Sequence, residues 1–406
     1  MLRWIKKASN FITKKIPASS YKGQLLVAGI VAIFGFFIGV IRFDIADGLN
    51  NSVAAVRVAL NPDKIPLSAS HRDHVNEIID SFIYDIKMDP DRGILSPKNP
   101  EDKINPDITI WELAQEGAAL CTDDINHFDN VGKFEIIQER ILNNKSDEGF
   151  FELEQSNISH DAITSWVMIF YARCNLKPPD EVYEIFASSE AHISNGWRRV
   201  HPLEGDERFA SSYATTMGLW AINETRQADK LELSKMEKLD TMAQSYAYKI
   251  ANKLEKDPGA MRDYPNDTPF FRSWALSGFA IYALDQSKRS NPNIPAIKRH
   301  WLDGFRDIEA DSSLASMYRI VVPPETEGGK KRTYIDGTRY WDFPWILAAN
   351  VSIYDNATIW EKAKILREIE HLITLSKDIG AFEQIEGRPW IKAEYVIALD
   401  HLRDKS

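Results

Sequence analysis

Residues 149–174 read GFFELEQSNISHDAITSWVMIFYARC, and this stretch decides the fold. A glycine followed by two aromatic residues predicts a turn. The polar stretch after it leads into an apolar run, which predicts a buried helix. The same order recurs at Gly196 and Trp197 before SSYATTMGLWAIN (211–223) and at residues 380–382 before WIKAEYVIALDHL (390–402). A unit that repeats along a chain predicts a repeat architecture.

Six segments in all combine such a turn with a buried helix, at intervals of about 50 residues that lengthen to about 60–75 around the fourth and fifth. This period is typical of stacked helix pairs. The apolar helices are ITIWELAQEGAALC (108–121), DAITSWVMIFYARC (161–174), SSYATTMGLWAIN (211–223), FRSWALSGFAIYALD (271–285), DFPWILAANVSIYD (342–355) and WIKAEYVIALDHL (390–402).

Amphipathic helices alternate with these apolar ones. Each has apolar residues at three and four spacing and one charged face, which places it outside the apolar helices. Sustained period-two alternation is absent, so no sheet is predicted. Six inner and six outer helices predict an all-α fold, an (α/α)6 toroid of six helical hairpins over residues 70–406. The amphipathic segments are 71–87, 132–144, 178–190, 238–256, 296–312 and 358–377.

This order of turns and helices resembles the six-hairpin toroid superfamilies from residue 70 to about residue 402. The segments ATTMGLWAIN and RSWALSGFAIYALD look like repeats of terpenoid cyclases and protein prenyltransferases, and equally like those of six-hairpin glycosidases and polysaccharide lyases. The Asp-x-Asp-Asp motif that protonates an alkene is absent, and neither cysteine has the Asp-x-Cys zinc context of prenyltransferases. The resemblance therefore implies carbohydrate chemistry more than terpenoid chemistry.

The amino terminus predicts a single membrane anchor. The run QLLVAGIVAIFGFFIGVI (24–41) carries no charge and is just long enough to cross a bilayer as a helix, although a buried soluble helix is the alternative. We place a basic amphipathic cytoplasmic segment at 1–23, the anchor at 24–42 and a linker at 43–69. Basic residues precede the run and only Arg42 follows closely, which predicts a cytoplasmic amino terminus and, in a bacterium, a periplasmic toroid domain. No small-residue cleavage site directly follows the run, so an uncleaved anchor is favoured.

The composition limits which classes of partner and ligand are expected. The net charge is -10, and basic residues beyond the amino terminus are interspersed with acids, so nucleic acid is not a predicted partner. Cys121 and Cys174 each end a predicted inner helix. The two residues are expected to be either free thiols buried in the core or, if the domain is exported, the two halves of a disulfide. Neither has a C-x-x-C partner, so no metal site and no cofactor are predicted.

The turns before the inner helices are expected to line the mouth of a central cavity. Glycoside hydrolysis needs a proton donor and a second carboxylate, whereas a lyase needs a base and a group that stabilises the developing charge. We select Asp263 and Asp336, each flanked by arginine and tyrosine, as catalytic carboxylates, with Glu207 as the third. The alternative to a catalytic role is that Asp263 and Asp336 form simple surface ion pairs with Arg262 and Arg339.

Aromatic and basic residues of the same turns suit sugar recognition, because flat apolar rings stack on sugars and arginine clamps acidic groups. Trp166, Trp220 and Trp274 lie at helical spacing and are expected in the core, and Asp161 and Asp342 are expected to cap helices. The predicted substrate-binding residues are Trp197, Arg198, His201, Arg262, Tyr264, Arg339, Tyr340, Trp341, Glu383, Arg388 and Trp390.

These observations predict a toroid that binds and cleaves an envelope or exo-polysaccharide as a glycoside hydrolase or lyase. Two alternatives remain open. A noncatalytic toroid would act as a binding or assembly module in an envelope polysaccharide or secretion complex. A lipid-handling toroid would need an apolar cavity, whereas the turns before the inner helices are polar.

Overall fold

The computed structural model describes residues 45–88, 93–94, 108–122, 131–146, 149–150, 161–188, 190–191, 196–197, 212–256, 274–287, 297, 301, 320–321, 333–334, 342–378 and 389–406. Within these ranges the chain forms twelve helices and three pairs of two-residue strands. The prediction of an all-α fold is confirmed.

The helices fall into two alternating sets after α1 (Ile45–Leu60). The outer set is α2 (Ala69–Met88), α4 (Val131–Asn143), α6 (Asp180–Ser188), α8 (Leu233–Lys256) and α11 (Ile359–Asp378). The inner set is α3 (Ile110–Leu120), α5 (Asp161–Arg173), α7 (Ser212–Ala228), α9 (Trp274–Gln286), α10 (Asp342–Tyr354) and α12 (Pro389–Lys405).

The two sets differ in burial as their sequences predict. Every residue of α7 from Ser212 to Asn223 is buried, which is typical of a helix surrounded by protein. In α2 the buried residues recur at three and four spacing and the rest of the helix faces solvent. The fifth outer segment, predicted at 296–312, is described only at Ile297 and Trp301, and both side chains are buried.

Capping boxes fix the start of two helices. In α3 the hydroxyl of Thr109 accepts a hydrogen bond from the backbone N–H of Glu112 over 3.1 Å, and the Glu112 carboxylate accepts one from the Thr109 N–H over 3.1 Å. Thr358 and Glu361 form the same reciprocal pair before α11. Each box provides acceptors for two backbone N–H groups that a helix start otherwise leaves without partners.

The inner helices form a closed ring. Helix α3 packs on α5, α5 on α7, α7 on α9, α9 on α10 and α10 on α12, and α12 returns to pack on α3. Outer helices cover the ring: α4 packs on α3, α6 on α5, α8 on α7 and α9, α11 on α10, and α2 on α12.

The inner helices all run in the same direction. Residues early in one helix meet early residues of another, as Gln115 of α3 meets Glu394 of α12. Late residues meet late residues, as Arg173 of α5 meets Asp400 of α12. We call the side where the inner helices begin the amino end of the ring, and the opposite side the carboxyl end.

A disulfide joins two inner helices at the carboxyl end. Cys121 follows α3, Cys174 follows α5, and their Cα atoms lie 5.0 Å apart. The sequence left open whether these cysteines pair, because they are 53 positions apart and proximity depends on how the two helices pack.

Three pairs of short antiparallel strands are present in the described ranges, and two of them contain the glycine-aromatic motif. Gly149 and Phe150 pair with Ser146 and Lys145, and the strand of Gly196 and Trp197 pairs with residues 190–191. The third pair joins residues 320–321 to 333–334. The first two pairs lie before α5 and α7 and contact them, so the glycine-aromatic motif is one side of a small hairpin that packs against the following helix.

Helix α1 lies within the segment 43–69 and packs along α11. Both guanidinium nitrogens of Arg57 donate to the Glu370 carboxylate, over 3.1 Å and 2.8 Å. Lys362 donates to the carbonyl of Pro62 over 2.7 Å. Helix α1 is therefore fixed to the outside of the ring.

Among the residues that the structure describes, no helix has the length and apolar character needed to cross a bilayer. The anchor predicted at 24–42 lies outside those residues.

Candidate functional site

Most of the predicted site residues lie outside the described part of the chain. This holds for all three proposed catalytic carboxylates, Asp263, Asp336 and Glu207, whose positions stay predictions. It also holds for Arg198, His201, Arg262, Tyr264, Arg339, Tyr340, Trp341, Glu383 and Arg388.

The structure places the backbone of Trp197 and the side chain of Trp390. Trp197 lies in a strand opposite Glu190, just before α7. Trp390 is the second residue of α12, at the amino end of the ring, and is half-buried against the core. Both residues lie near the start of an inner helix, and their role in substrate binding stays a prediction.

Aromatic side chains fill the middle of the ring. The Trp220 ring has edge contacts with Trp166, Phe279, Tyr282 and Trp345 at centroid distances of 5.1, 5.7, 5.7 and 5.6 Å. Trp166 and Trp220 are completely buried, which confirms that they belong to the core. This aromatic layer separates the amino end of the ring from the carboxyl end.

A hydrogen-bonded row crosses the ring on the amino side of this layer. The indole N–H of Trp111 donates to Gln115 over 2.9 Å, and the Gln115 amide donates to Glu394 over 2.7 Å. The indole N–H of Trp345 donates to the other oxygen of Glu394 over 2.8 Å. Glu394 is only 1% exposed, so these donors replace water around its carboxylate. The row joins α3, α10 and α12.

An aromatic shelf lies beside this row. The rings of Trp111 and Tyr213 stack with 16° between their planes and 6.5 Å between their centroids. Trp111 is half-buried, whereas Tyr213 is 9% exposed and also contacts Phe279. Flat aromatic faces of this kind suit the apolar faces of sugar rings. We call Trp111 and Tyr213 the amino-end shelf.

A pocket of about 300 Å³ opens at the carboxyl end, on the far side of the aromatic layer. Its volume is at the lower end of the range for small-molecule sites. The polar residues that line it include Arg173, Glu224, Tyr282, Asp400, His401 and Asp404.

Arg173 is the centre of this pocket. It donates to Glu224 over 3.0 Å and to Asp400 over 3.1 Å. Burial acts to lower the pKa of Arg173, but the negative charges that face it, Glu224 first, raise that pKa above its ordinary value. The arginine therefore joins α5, α7 and α12 by two largely buried ion pairs.

Burial and neighbouring charges also shift the pKa values of residues around Arg173. Burial raises the pKa of Asp400, and the positive charges of Arg173 and Arg403 limit the rise. Burial lowers the pKa of His401 to about 3, so its imidazole is neutral at neutral pH. Trp220 also donates to Glu224, over 2.7 Å. These acids are held by donors from the protein itself, an arrangement typical of a structural polar network.

The polar row around Glu394 and the ion pairs of Arg173 were not selected from the sequence. Glu394 is a charged residue within the buried part of α12, and this is the signal that could have identified it. Arg173, Glu224 and Asp400 lie toward the carboxyl ends of their helices, where charged residues are common, and the sequence carries no such signal for them. Within the described ranges, no three His, Cys, Asp or Glu side chains form a group that could hold a metal ion.

The chain matches no family model, and no curated protein is significantly similar to it.

Proposed function

We propose that this chain is an (α/α)6 toroid, anchored in the inner membrane, that faces the periplasm and binds and cleaves an envelope or exo-polysaccharide at the amino end of its ring. The closed ring of parallel inner helices carries the proposal. The segments that contain Glu207, Asp263 and Asp336 lead into α7, α9 and α10, which are consecutive in the ring. Chain connectivity therefore favours a site to which all three carboxylates contribute.

The amino-end shelf supports sugar binding at the same end. Trp111 and Tyr213 come from α3 and α7, so their stacked rings bridge two helices that are not adjacent in the ring. Trp390, the second residue of α12, lies at this end as well. Trp111 is the half-buried ring of the shelf, and a partly exposed aromatic ring of this kind suits stacking on a sugar, with the buried Tyr213 ring behind it.

The disulfide supports an exported domain. Disulfides persist in oxidising compartments such as the periplasm and are rare in the cytosol. A bond between Cys121 and Cys174 agrees with the orientation predicted from the basic residues before the run 24–41.

The noncatalytic alternative has one observation in its favour. Two of the described acids on the inner helices at the carboxyl end, Glu224 and Asp400, are engaged by Arg173 and do not form a free acid and base pair. In this proposal cleavage rests on Glu207, Asp263 and Asp336, and a ring that lacks their chemistry would bind glycan without turnover.

An assay on the full chain separates these possibilities. The purified chain, in detergent, is incubated with envelope and exo-polysaccharides, and the release of reducing ends and of unsaturated uronates is measured. Asp263→Asn and Asp336→Asn are each expected to lose about a hundredfold or more of the activity, since general acid-base groups contribute that much. Asp80→Asn, which changes an exposed carboxylate on α2, is the control with full activity expected.

Full activity in both variants would remove the site assignment. Glycan binding without any product from the unmodified chain would favour the binding module.

A further inference from the structure

The position of α1 relates the ring to the bilayer. Helix α1 follows the predicted anchor with only Phe43 and Asp44 between them. Three Cα steps cover at most about 11 Å, so the start of α1 stays close to the end of the anchor. Which side of the ring faces the bilayer therefore depends on where α1 begins.

Helix α11 gives the direction. It follows α10 and precedes α12, so it returns from the carboxyl end of the ring to the amino end. At its start, Asp355 before α11 pairs with Lys405 at the last turn of α12, over 2.6 Å. Residues later in α11 are progressively nearer the amino end.

Helix α1 runs antiparallel to α11. Pro62 is level with Lys362, and Arg57, earlier in the chain, is level with Glu370, later in α11. The stretch from Ile45 to Arg57 continues in the same direction for about 18 Å of helix axis. Helix α1 therefore begins toward the amino end of the ring and finishes at the carboxyl end.

The contact between α1 and the ring is extensive. Ala54, Ala55 and Val58 are buried, and Arg57 is bound by both oxygens of Glu370. A helix held by a buried apolar face and a bidentate ion pair transmits the position of the anchor to the ring.

Exposed apolar residues occur at both ends and do not decide the orientation. Tyr84 and Met88, near the end of α2, lie toward the amino end and are 65% and 39% exposed. Leu60, Ile359 and Trp360 lie at the carboxyl end and are 39%, 37% and 46% exposed. The attachment of α1 is the feature that distinguishes the two ends.

We propose that the amino end of the ring faces the bilayer, so that the protein acts on glycan chains held at the membrane surface by a lipid. This inference rests on the proposed anchor and glycan function. A site turned toward the membrane meets lipid-linked chains at a high effective concentration, whereas a free polymer must enter the space between ring and bilayer.

Two introduced cysteines measure the orientation directly. The only native cysteines form the disulfide, so a single new cysteine can be labelled selectively. The full chain, with a donor fluorophore at Tyr84→Cys or at Trp360→Cys, is reconstituted in phospholipid vesicles that contain a headgroup-labelled acceptor lipid. The donor at 84 is expected to lie about 20 Å closer to the acceptors than the donor at 360 and to transfer energy more efficiently.

A flexible insertion is the matched control. Twenty Gly and Ser residues between Asp44 and Ile45 have a root-mean-square length of about 25 Å and free the ring to rotate. The difference between the two donors is expected to disappear. Equal transfer from both positions in the chain without the insertion, or greater transfer from 360, overturns the proposed orientation.

A second measurement addresses the substrate class. A polysaccharide that binds the full chain is conjugated to a phospholipid in vesicles, and its binding to the reconstituted protein is compared with that of the free polysaccharide. We expect about tenfold tighter binding of the conjugate. Equal affinities overturn the preference for lipid-held glycans.

The two proposals fail in different ways. The energy-transfer experiment contains no glycan and reports orientation even if no polysaccharide binds. Glycan binding or cleavage in detergent, in turn, stands whichever end faces the bilayer.

Discussion

Gln115 on α3 donates a hydrogen bond to Glu394 on α12 over 2.7 Å, although 279 positions separate them in the sequence. This bond joins the first inner helix to the last and lies in the buried interior of the ring. A buried carboxylate that loses a donor carries the full cost of its missing partner, so the bond contributes to closing the ring.

A double-mutant cycle tests this contribution. Gln115→Met is expected to destabilise the protein by about 1–3 kcal/mol, because it removes a donor from buried Glu394. Glu394→Met and the double variant complete the cycle, and the expected coupling is about 0.5–3 kcal/mol. The measurement is urea unfolding, with Gln244→Met on the exposed face of α8 as the control. Strictly additive effects would mean that the pair does not act together.

Arg173 is predicted to be the most sensitive charged residue at the carboxyl end. Arg173→Met leaves Glu224 and Asp400 without their common partner at side chains only 12% exposed, and should cost about 3–5 kcal/mol of stability. Arg226→Met removes a more exposed pair with Asp240 and should cost at most about 1 kcal/mol. Thermal or urea unfolding of the two variants compares them, and similar losses would contradict the structural role of Arg173.

His401 predicts a dependence of stability on pH. Burial lowers its folded pKa to about 3 from an ordinary value of 6.5, so the unfolded chain binds the extra proton first. The stability that the protein gains from keeping His401 neutral in the folded state is fully present above pH 6.5. It is lost as the pH falls toward 3, at about 1.4 kcal/mol per pH unit. The unmodified chain should therefore lose stability faster than His401→Gln between pH 6.5 and pH 5 in urea unfolding. Parallel curves for the two proteins would show that His401 is not the group responsible.

The disulfide is predicted to be a major source of stability. The bond between Cys121 and Cys174 closes a loop with a sequence separation of 53, and loop-closure entropy gives a contribution of about 2–4 kcal/mol. Cys121→Ser, Cys174→Ser and the double variant should be destabilised by similar amounts. Reductant should shift the unfolding midpoint of the unmodified chain and leave that of the double variant unchanged; a shift in both would point to another cause.

Gly278 lies at a close contact between α9 and α10. A Cβ at this position would lie 2.6 Å from the Trp345 carbonyl oxygen, a backbone atom that cannot move by itself. A Cβ at Gly117 would lie 2.8 Å from the Phe170 ring, a side chain that can adjust. Gly278→Ala is therefore expected to cost about 1–3 kcal/mol in thermal unfolding, and Gly117→Ala less. The reverse order would contradict the packing of α9 on α10.

The sequence allowed some candidate site residues to be selected and not others. Glu207, Asp263 and Asp336 were selected because turns before inner helices should gather at one end of a ring. The three residues lie outside the described part of the chain, so their selection stays a prediction. The polar groups around Glu394 and Arg173 were not predicted. The role of a charged residue on an inner helix depends on its partner, and that partner comes from another helix far away in the sequence.

The sequence by itself determined that the chain is helical, which helices are buried and which have a solvent face. These properties follow from local spacing, since apolar residues at three and four positions define one side of a helix and their presence all round defines an interior one. The six repeats also predicted a closed ring. Tertiary structure alone decided that Cys121 meets Cys174 and that Arg173 binds both Glu224 and Asp400. Each of these contacts joins distant parts of the chain, and its geometry depends on the packing of whole helices, which no local pattern encodes.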